Sequence, residues 1–175
     1  MDEFLASVER KAYQIARFAT HEHQDALDIV QDAMCQLVSH YRERPEAEWK
    51  PLFYRILHNK VMDWHRQRSI RRRILGWIGA DDDRQDSALD QVADTGARQP
   101  PQALDNERFG EQLCLVVEAL PLRQQQAFLL RTWEGLSVSE TAEVMGCSEG
   151  SVKTHLHRAM QALQHRLQPF QENER

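Results

Sequence analysis

The strongest constraint on this chain is a pattern of helix-start and helix-stop residues between positions 137 and 167. Ser137 and Glu140 have the spacing of a capping box, in which the serine hydroxyl and the glutamate carboxylate each bind a backbone amide of the first helical turn. The helix that they open should end at Gly146, because glycine readily adopts the left-handed conformation found just after helices. Ser148 can then cap another helix. The pattern predicts a short helix, a tight turn and a longer helix.

The longer helix should have one apolar face and one polar face. Its apolar face collects Val152, Leu156, Ala159, Met160, Leu163 and Leu167. Its opposite face presents groups of the kind that meet phosphates and base edges, namely Ser151, Thr154, His157, Arg158 and Gln161, with Lys153 on the flank. This arrangement matches a DNA-binding helix-turn-helix. An ordinary antiparallel helix pair with a solvated polar face is the alternative.

Helical periodicity also marks most of the remaining sequence. Apolar residues at steps of three and four predict helices over residues 4–19, from about Asp25 to Tyr41, and from near Pro51 into a basic run. Pro45 marks the break before the third of these helices. After a long interruption, the same periodicity returns from Leu104.

The interruption, from about residue 76 to residue 103, is rich in Asp, Gly and Gln and includes Pro100-Pro101. Such a composition indicates a solvated segment without a packed core. We therefore predict an all-α protein of two small helical domains, residues 1–75 and 104–170, joined by a flexible acidic linker over 76–103. The second domain is the helix-turn-helix, and the two domains should move independently.

The distribution of charge matters more than the formal net charge of −5, which by itself would disfavour binding to phosphates. Residues 55–73 carry seven Arg or Lys against the single acid Asp63, whereas residues 81–94 carry six Asp against Arg84. The charges are segregated. The basic segment predicts a nucleic-acid partner.

Several function classes lack support in the sequence. No apolar run approaches the length of a membrane span and the N-terminus lacks a signal-peptide pattern, so we expect a cytoplasmic protein without membrane insertion. The three cysteines form no close pair. The histidine pairs at 21/23 and 155/157 have no cysteine or carboxylate at ligand spacing beside them, so no metal or cofactor is predicted. No catalytic motif supports an enzyme.

Residues 120–167 strongly resemble the C-terminal promoter-binding domain of extracytoplasmic-function sigma factors, a subfamily of the sigma-70-type factors of bacterial RNA polymerase. The motifs that carry the resemblance are Leu120-Pro121, Gly135-Leu136-Ser137, Glu140-Thr141-Ala142, Gly146-Cys147-Ser148, Ser151-Val152-Lys153 and Arg158-Ala159. Thr141 stands where the family usually has isoleucine. The resemblance implies that the minus-thirty-five promoter element is bound by Ser148, Ser151, Lys153, Thr154, His157 and Arg158.

The first domain resembles the N-terminal domain of the same family. Residues 25–32 look like its acidic helix that docks on the clamp of the largest polymerase subunit, which implies that the polymerase core is bound by Asp25, Asp28, Gln31 and Asp32. Asp25, Asp28 and Asp32 repel one another on one helix face, which fits an external partner. For Asp25 alone, a favourable position at the helix N-terminus is a sufficient explanation.

Residues 52–73 are similar to the family element that melts the promoter and reads the minus-ten sequence as a single strand. That resemblance implies minus-ten contacts from Tyr54, Arg55, Asn59, Lys60, Arg66, Arg68, Arg71 and Arg72. Phe53, Tyr54 and Trp64 offer aromatic faces for unstacked bases. For any single aromatic residue here, inward packing is the better interpretation.

We therefore expect a sigma factor that binds core RNA polymerase, through its clamp and flap, and promoter DNA; the resemblance also allows an anti-sigma protein as a partner. The main alternative is a response-regulator-type helix-turn-helix regulator that binds DNA as a dimer at two half-sites. A protein-interaction adaptor is a third possibility, and the basic residues 66–73 count against it.

Overall fold

A computed structural model describes the backbone of residues 1–77 and 105–172 and the side chains of residues 1–74 and 109–168. All elements in these ranges are helical, which confirms the all-α class. The segment expected to be a flexible linker lies outside the described residues, apart from positions 76 and 77 at the end of a helix. No helix in the described ranges is long and apolar enough to cross a bilayer.

The N-terminal half, residues 1–77, contains α1 (Asp2–Thr20), α2 (His23–Tyr41) and α3 (Glu46–Trp77). The three helices pack on one another through the small and branched side chains that their periodicity predicted, and Ala12, Ala26, Ala33 and Leu37 are fully buried. Small residues at these contacts allow the helices to approach closely.

The start of α3 differs from the sequence prediction. We expected the helix to begin near Pro51, but it begins at Glu46 and Pro51 lies inside it. The reason is Pro45, whose carbonyl oxygen accepts the first-turn hydrogen bond from the Glu48 amide at 2.9 Å. Pro45 thus ends the preceding connection and also supplies the first acceptor of α3.

The C-terminal half, residues 105–172, contains α4 (Asp105–Glu118), α5 (Leu122–Phe128), a π-helical turn (Leu129–Trp133), α6 (Val138–Met145) and α7 (Glu149–Glu172). The π-helical turn was not predicted. Its wider ring is closed by the Glu134 amide, which donates to the Leu129 carbonyl at 3.0 Å. Such turns insert one extra residue into a helix and are frequent at functional sites.

The two halves are in direct contact. Lys50 of α3 donates a hydrogen bond from Nζ to the Glu134 carbonyl at 2.7 Å, and Gln125 of α5 donates from Nε2 to the Phe18 carbonyl of α1 at 3.2 Å. The buried apolar residues form one cluster that includes members of both halves. The independent movement that we expected of the two domains stays a prediction, and this structure has them together.

Candidate nucleic-acid interface

The predicted capping box at the start of α6 is confirmed. The Ser137 hydroxyl accepts a hydrogen bond from the Glu140 amide at 3.1 Å, and the Ser137 amide donates to the Glu140 carboxylate at 2.7 Å. Hydrogen bonds from the side chain and the backbone amide of Ser137 to the ionised carboxylate lower the pKa of Glu140. At the other end of α6, Gly146 adopts the left-handed conformation with φ 60°. Both ends of the first helix of the pair are therefore fixed by local contacts.

Ser148 caps α7 as the sequence predicted, since its hydroxyl accepts a hydrogen bond from the Ser151 amide at 3.1 Å. The two hydroxyls also lie 2.9 Å apart. One turn later the Thr154 hydroxyl donates to the Gly150 carbonyl at 3.0 Å, so its oxygen is left to accept a bond from a ligand. The hydroxyls at the start of α7 are thus held in fixed orientations.

The two faces of α7 separate largely as expected. Val152, Ala159, Leu163 and Leu167 are buried against the rest of the half, and Leu156 is half-buried. The polar face contains the exposed residues Lys153, Thr154, His157 and Arg158 and the half-buried Ser151. The assignment of Met160 to the apolar face is wrong: its side chain is 49% exposed, because it follows the buried Ala159 around the helix and turns away from the core.

The basic part of α3 carries most of the predicted minus-ten residues at the surface. Arg55, Asn59, Arg66, Arg68, Arg71 and Arg72 are exposed. Several of these cations have partners within the same half. Arg66 pairs with Asp63 at 3.2 Å, and the Arg68 guanidinium lies over the Trp64 ring at 5.0 Å from its centroid. These contacts hold the side chains near the helix surface.

The aromatic residues of α3 divide into buried and accessible groups. Phe53 and Tyr54 are fully buried, with ring centroids 5.3 Å apart, so the inward-packing interpretation is confirmed for both. Trp64 is half-buried, and its ring lies edge-on to His65 at 4.9 Å. Of the three aromatic candidates on α3, Trp64 is the one that is not fully buried, and a minus-ten contact from Tyr54 would require rearrangement.

The acidic helix α2 exposes Asp28, Gln31 and Asp32, whereas Asp25 is half-buried in the first turn. Asp28 accepts a hydrogen bond from Gln24 at 3.0 Å. Asp32 pairs with Lys60 of α3 at 3.2 Å. The candidate docking helix is therefore linked directly to the candidate minus-ten helix.

Sequence reasoning missed the polar residues buried between the two halves. His58, Gln125, Gln126 and Glu134 are each 5% exposed or less. The His58 ring lies 3.4 Å from the Gln126 side-chain oxygen, and burial lowers the pKa of this histidine. The available signal was the run of glutamines at 124–126 in the short helix α5.

Comparison with known proteins agrees with this geometry. The family model described as Sigma-70 region 2 matches residues 4–71, and the one described as Sigma-70, region 4 matches residues 111–163. The sigma factor SigX of Bacillus subtilis, named as an extracytoplasmic-function factor, is 26% identical over 162 residues, which cover 91% of this chain and 79% of SigX. The chain belongs to the extracytoplasmic-function subfamily of sigma-70-type sigma factors.

Further relatives align along nearly the whole sigma factor. The RNA polymerase sigma-E factor of Streptomyces coelicolor is 26% identical over 169 residues, covering 95% of this chain and 85% of that protein. Among solved structures, the sigma factor RpoE of Bartonella quintana, crystallised in complex with the anti-sigma factor NepR, superposes with a TM-score of 0.65. That match has 22% identity and covers 96% of this chain and 98% of RpoE, and it supports the fold.

Proposed function

We propose that this sigma factor binds core RNA polymerase and directs it to promoters through a division of roles between its two halves. The first domain, residues 1–75, docks on the polymerase and takes the minus-ten element. The second domain, residues 104–170, binds the minus-thirty-five element. The observation that carries the proposal is the polar face of α7, which lies opposite a buried face on a helix capped at a glycine turn.

For the duplex contact, the exposed cations Lys153 and Arg158 are suited to phosphates, and His157 extends the same polar face. The hydroxyls of Ser148, Ser151 and Thr154 lie in the first turns of α7, the part of a recognition helix that approaches base edges. This half therefore supplies both backbone-positioning groups and groups that can distinguish bases.

For the single-strand contact, the exposed amide of Asn59 can pair with the edge of an unstacked base, and the Trp64 ring can stack on one. The arginines at 66, 68, 71 and 72 follow along the same helix and can track the backbone. Beside them, the exposed acids Asp28 and Asp32 of α2 form the surface proposed to dock on the clamp.

The remaining parts of the proposal concern setting and partners. The chain acts in the cytoplasm, where polymerase and DNA are found. It carries no catalytic site of its own, because the polymerase catalyses RNA synthesis. An anti-sigma protein is a further proposed partner, and the complex of RpoE with NepR gives a precedent for it in a protein of the same fold.

In vitro transcription with purified core polymerase across a library of promoter fragments tests this function. We expect transcripts that depend on both the chain and specific upstream sequences. A chain that fails to associate with core polymerase, but binds palindromic operators by itself as a dimer, would refute the proposal and support the response-regulator alternative.

Substitution of Arg158 tests the assignment of the duplex-binding face. Arg158→Ala should lower promoter occupancy and reduce the slope of log affinity against log salt by about 0.9, the change for one lost phosphate contact. Arg166→Ala is the matched control, because Arg166 is also exposed on α7 but two turns further from its start. Equal salt-dependence slopes for wild type and Arg158→Ala would show that Arg158 does not contact a DNA phosphate.

A further inference from the structure

A cavity of about 490 Å³ lies where the end of α1, the second half of α3 and the connection from α4 to α5 meet. Small-molecule sites commonly have volumes of about 300–1,000 Å³, so this cavity has the size of such a site. Helix α3 contributes four of the lining residues, Trp64, His65, Arg68 and Arg72. We call this space the α3 cavity.

The α3 side of the cavity combines a flat ring with cationic groups. His65, Arg68 and Arg72 follow one another at steps of three and four, so they lie on one face of the helix. Trp64 is one turn before Arg68, and the Arg68 guanidinium lies 5.0 Å from the centroid of the Trp64 ring. The centroid of the His65 ring is 4.9 Å from the same point. A ligand at this wall therefore meets an indole ring and two guanidinium groups side by side.

The positive charge of the two arginines is not neutralised by the described part of the protein. Neither Arg68 nor Arg72 forms a salt bridge with a described residue. They are one turn apart on α3, where like charges repel each other and weaken the helix. The two carboxylates that line the same cavity, Glu22 and Glu118, pair with neither of them. An anion bound between the arginines would offset this repulsion.

Two imidazoles also line the α3 cavity. His21 follows α1 in the left-handed conformation with φ 60°, and His65 lies on α3. Burial lowers the pKa of His65, and the positive charges of His21 and the two arginines lower it further. These groups therefore act on one another electrostatically. A cleft in which one sign of charge predominates attracts small ions of the opposite sign.

A buried hydrogen-bond acceptor without a partner lies in the cavity wall. Gln125 is 2% exposed, and its Nε2 donates to the Phe18 carbonyl at 3.2 Å and to the Val117 carbonyl at 3.0 Å. These two bonds fix the orientation of the amide. Its Oε1 accepts no hydrogen bond from a described residue. Because a buried acceptor without a donor is costly, a ligand that brings a hydroxyl or N–H group to this wall is favoured.

We propose that the α3 cavity is a binding site for nucleoside phosphates. Arg68 and Arg72 bind the phosphate, because a guanidinium offers paired donors that match phosphate oxygens. The Trp64 ring stacks on the base. A ribose hydroxyl donates to Oε1 of Gln125. A nucleoside phosphate carries all three of these groups in one small molecule.

Such a ligand competes with promoter DNA, a consequence that rests on the proposed function above. Trp64, Arg68 and Arg72 are the same side chains that the proposed function assigns to the opened minus-ten strand. A nucleotide held by these residues excludes the strand from them. The concentration of that nucleotide would therefore regulate promoter opening.

Isothermal titration calorimetry on the full chain, without polymerase, tests the site. The probes are AMP and GMP, with adenosine, guanosine and inorganic phosphate as their separate parts, at an ionic strength of about 0.15 M to screen weak surface attraction. The variants are Arg72→Gln and Trp64→Leu. Arg73→Gln is the matched control, because Arg73 is exposed beside Arg72 on α3 but does not line the cavity.

We expect at least one of AMP and GMP to bind, and Arg72→Gln to weaken this binding by about tenfold or more, the loss expected for one charge-assisted hydrogen bond. Trp64→Leu should weaken binding of the nucleotide and leave binding of inorganic phosphate unchanged. Arg73→Gln should change neither. The absence of AMP and GMP binding at millimolar concentration would overturn the proposal, and so would equal losses in Arg72→Gln and Arg73→Gln. If Trp64→Leu loses its helical signal, Arg72→Gln decides alone.

Permanganate reactivity of a promoter strand, measured with core polymerase, tests the competition. The nucleotide that binds should lower open-complex formation by the wild-type sigma factor and should not affect the same polymerase with a different sigma factor. Undiminished open complexes at a saturating nucleotide concentration would overturn the competition. If no open complexes form even without nucleotide, the proposed function fails, while the calorimetry still decides whether the α3 cavity binds nucleotides.

Discussion

The two candidate DNA-binding helices reach the surface in different ways. On α7 the hydroxyls are oriented by the turn that starts the helix, and Lys153 and Arg158 are exposed next to them. On α3 the cations Arg66 and Arg68 lie against Asp63 and Trp64 of the same helix. The α7 surface is therefore preorganised to bind a rigid duplex. The α3 surface must instead break internal contacts before it can bind an opened strand.

This difference fits the two forms of DNA. A duplex has a fixed groove, so a preorganised surface loses little entropy on binding. A melted strand has no fixed shape, and its bases must be captured one at a time on aromatic faces and polar edges. The side chains that capture them can be held in internal contacts until the strand is present.

The largest expected effect is the loss of stability when a fully buried aromatic residue of α3 is replaced. Phe53 is fully buried and lies edge-on to Phe4 at 6.1 Å. Phe53→Ala should lower the free energy of unfolding by about 3–5 kcal/mol, because it leaves a cavity that the helices cannot fill. Urea unfolding followed by circular dichroism measures this loss. A loss below about 1 kcal/mol would show that Phe53 is not a core residue.

Trp64→Ala is the companion variant for this comparison. Its ring is half-buried, so the loss of stability should be smaller, while open promoter complexes should weaken by about 1–3 kcal/mol if one base stacks on it. Permanganate reactivity of the melted strand reports the open complex. If the Trp64→Ala protein opens promoters normally, the Trp64 ring contributes to packing and does not stack on a base.

The sequence predicted what depends on neighbours along the chain and missed what depends on distant residues. The capping box, the left-handed Gly146 and the cap at Ser148 are contacts over three or four positions, and all three are confirmed. The interface between the halves joins residues as far apart as Phe18 and Gln125, and no local pattern encodes such a pair. Among the site residues, the exposure of Lys153, His157 and Arg158 could be read from periodicity, whereas the pairing of Lys60 with Asp32, 28 positions away, could not.

A medium effect is expected at the cap that positions the helix-turn-helix. Ser137→Ala removes the acceptor for the Glu140 amide and should cost about 1 kcal/mol of stability. Ser139→Ala is the matched control, because Ser139 is an exposed serine of the same first turn and does not occupy the cap position. Equal unfolding midpoints for the two variants would mean that the capping box contributes nothing measurable.

The smallest effect tests whether the charge of the capping box also contributes. The folded-state pKa of Glu140 is lowered, so its stabilisation is complete above the ordinary glutamate pKa of about 4.3 and is lost as the pH falls through the lower folded value. Glu140→Gln lacks the charge at every pH and should cost about 0.5 kcal/mol near neutrality. The difference in unfolding free energy between wild type and Glu140→Gln should therefore shrink as the pH falls below about 4.3. Other carboxylates titrate in both proteins and cancel, so a difference that does not change with pH would assign the effect to hydrogen-bond geometry instead of charge.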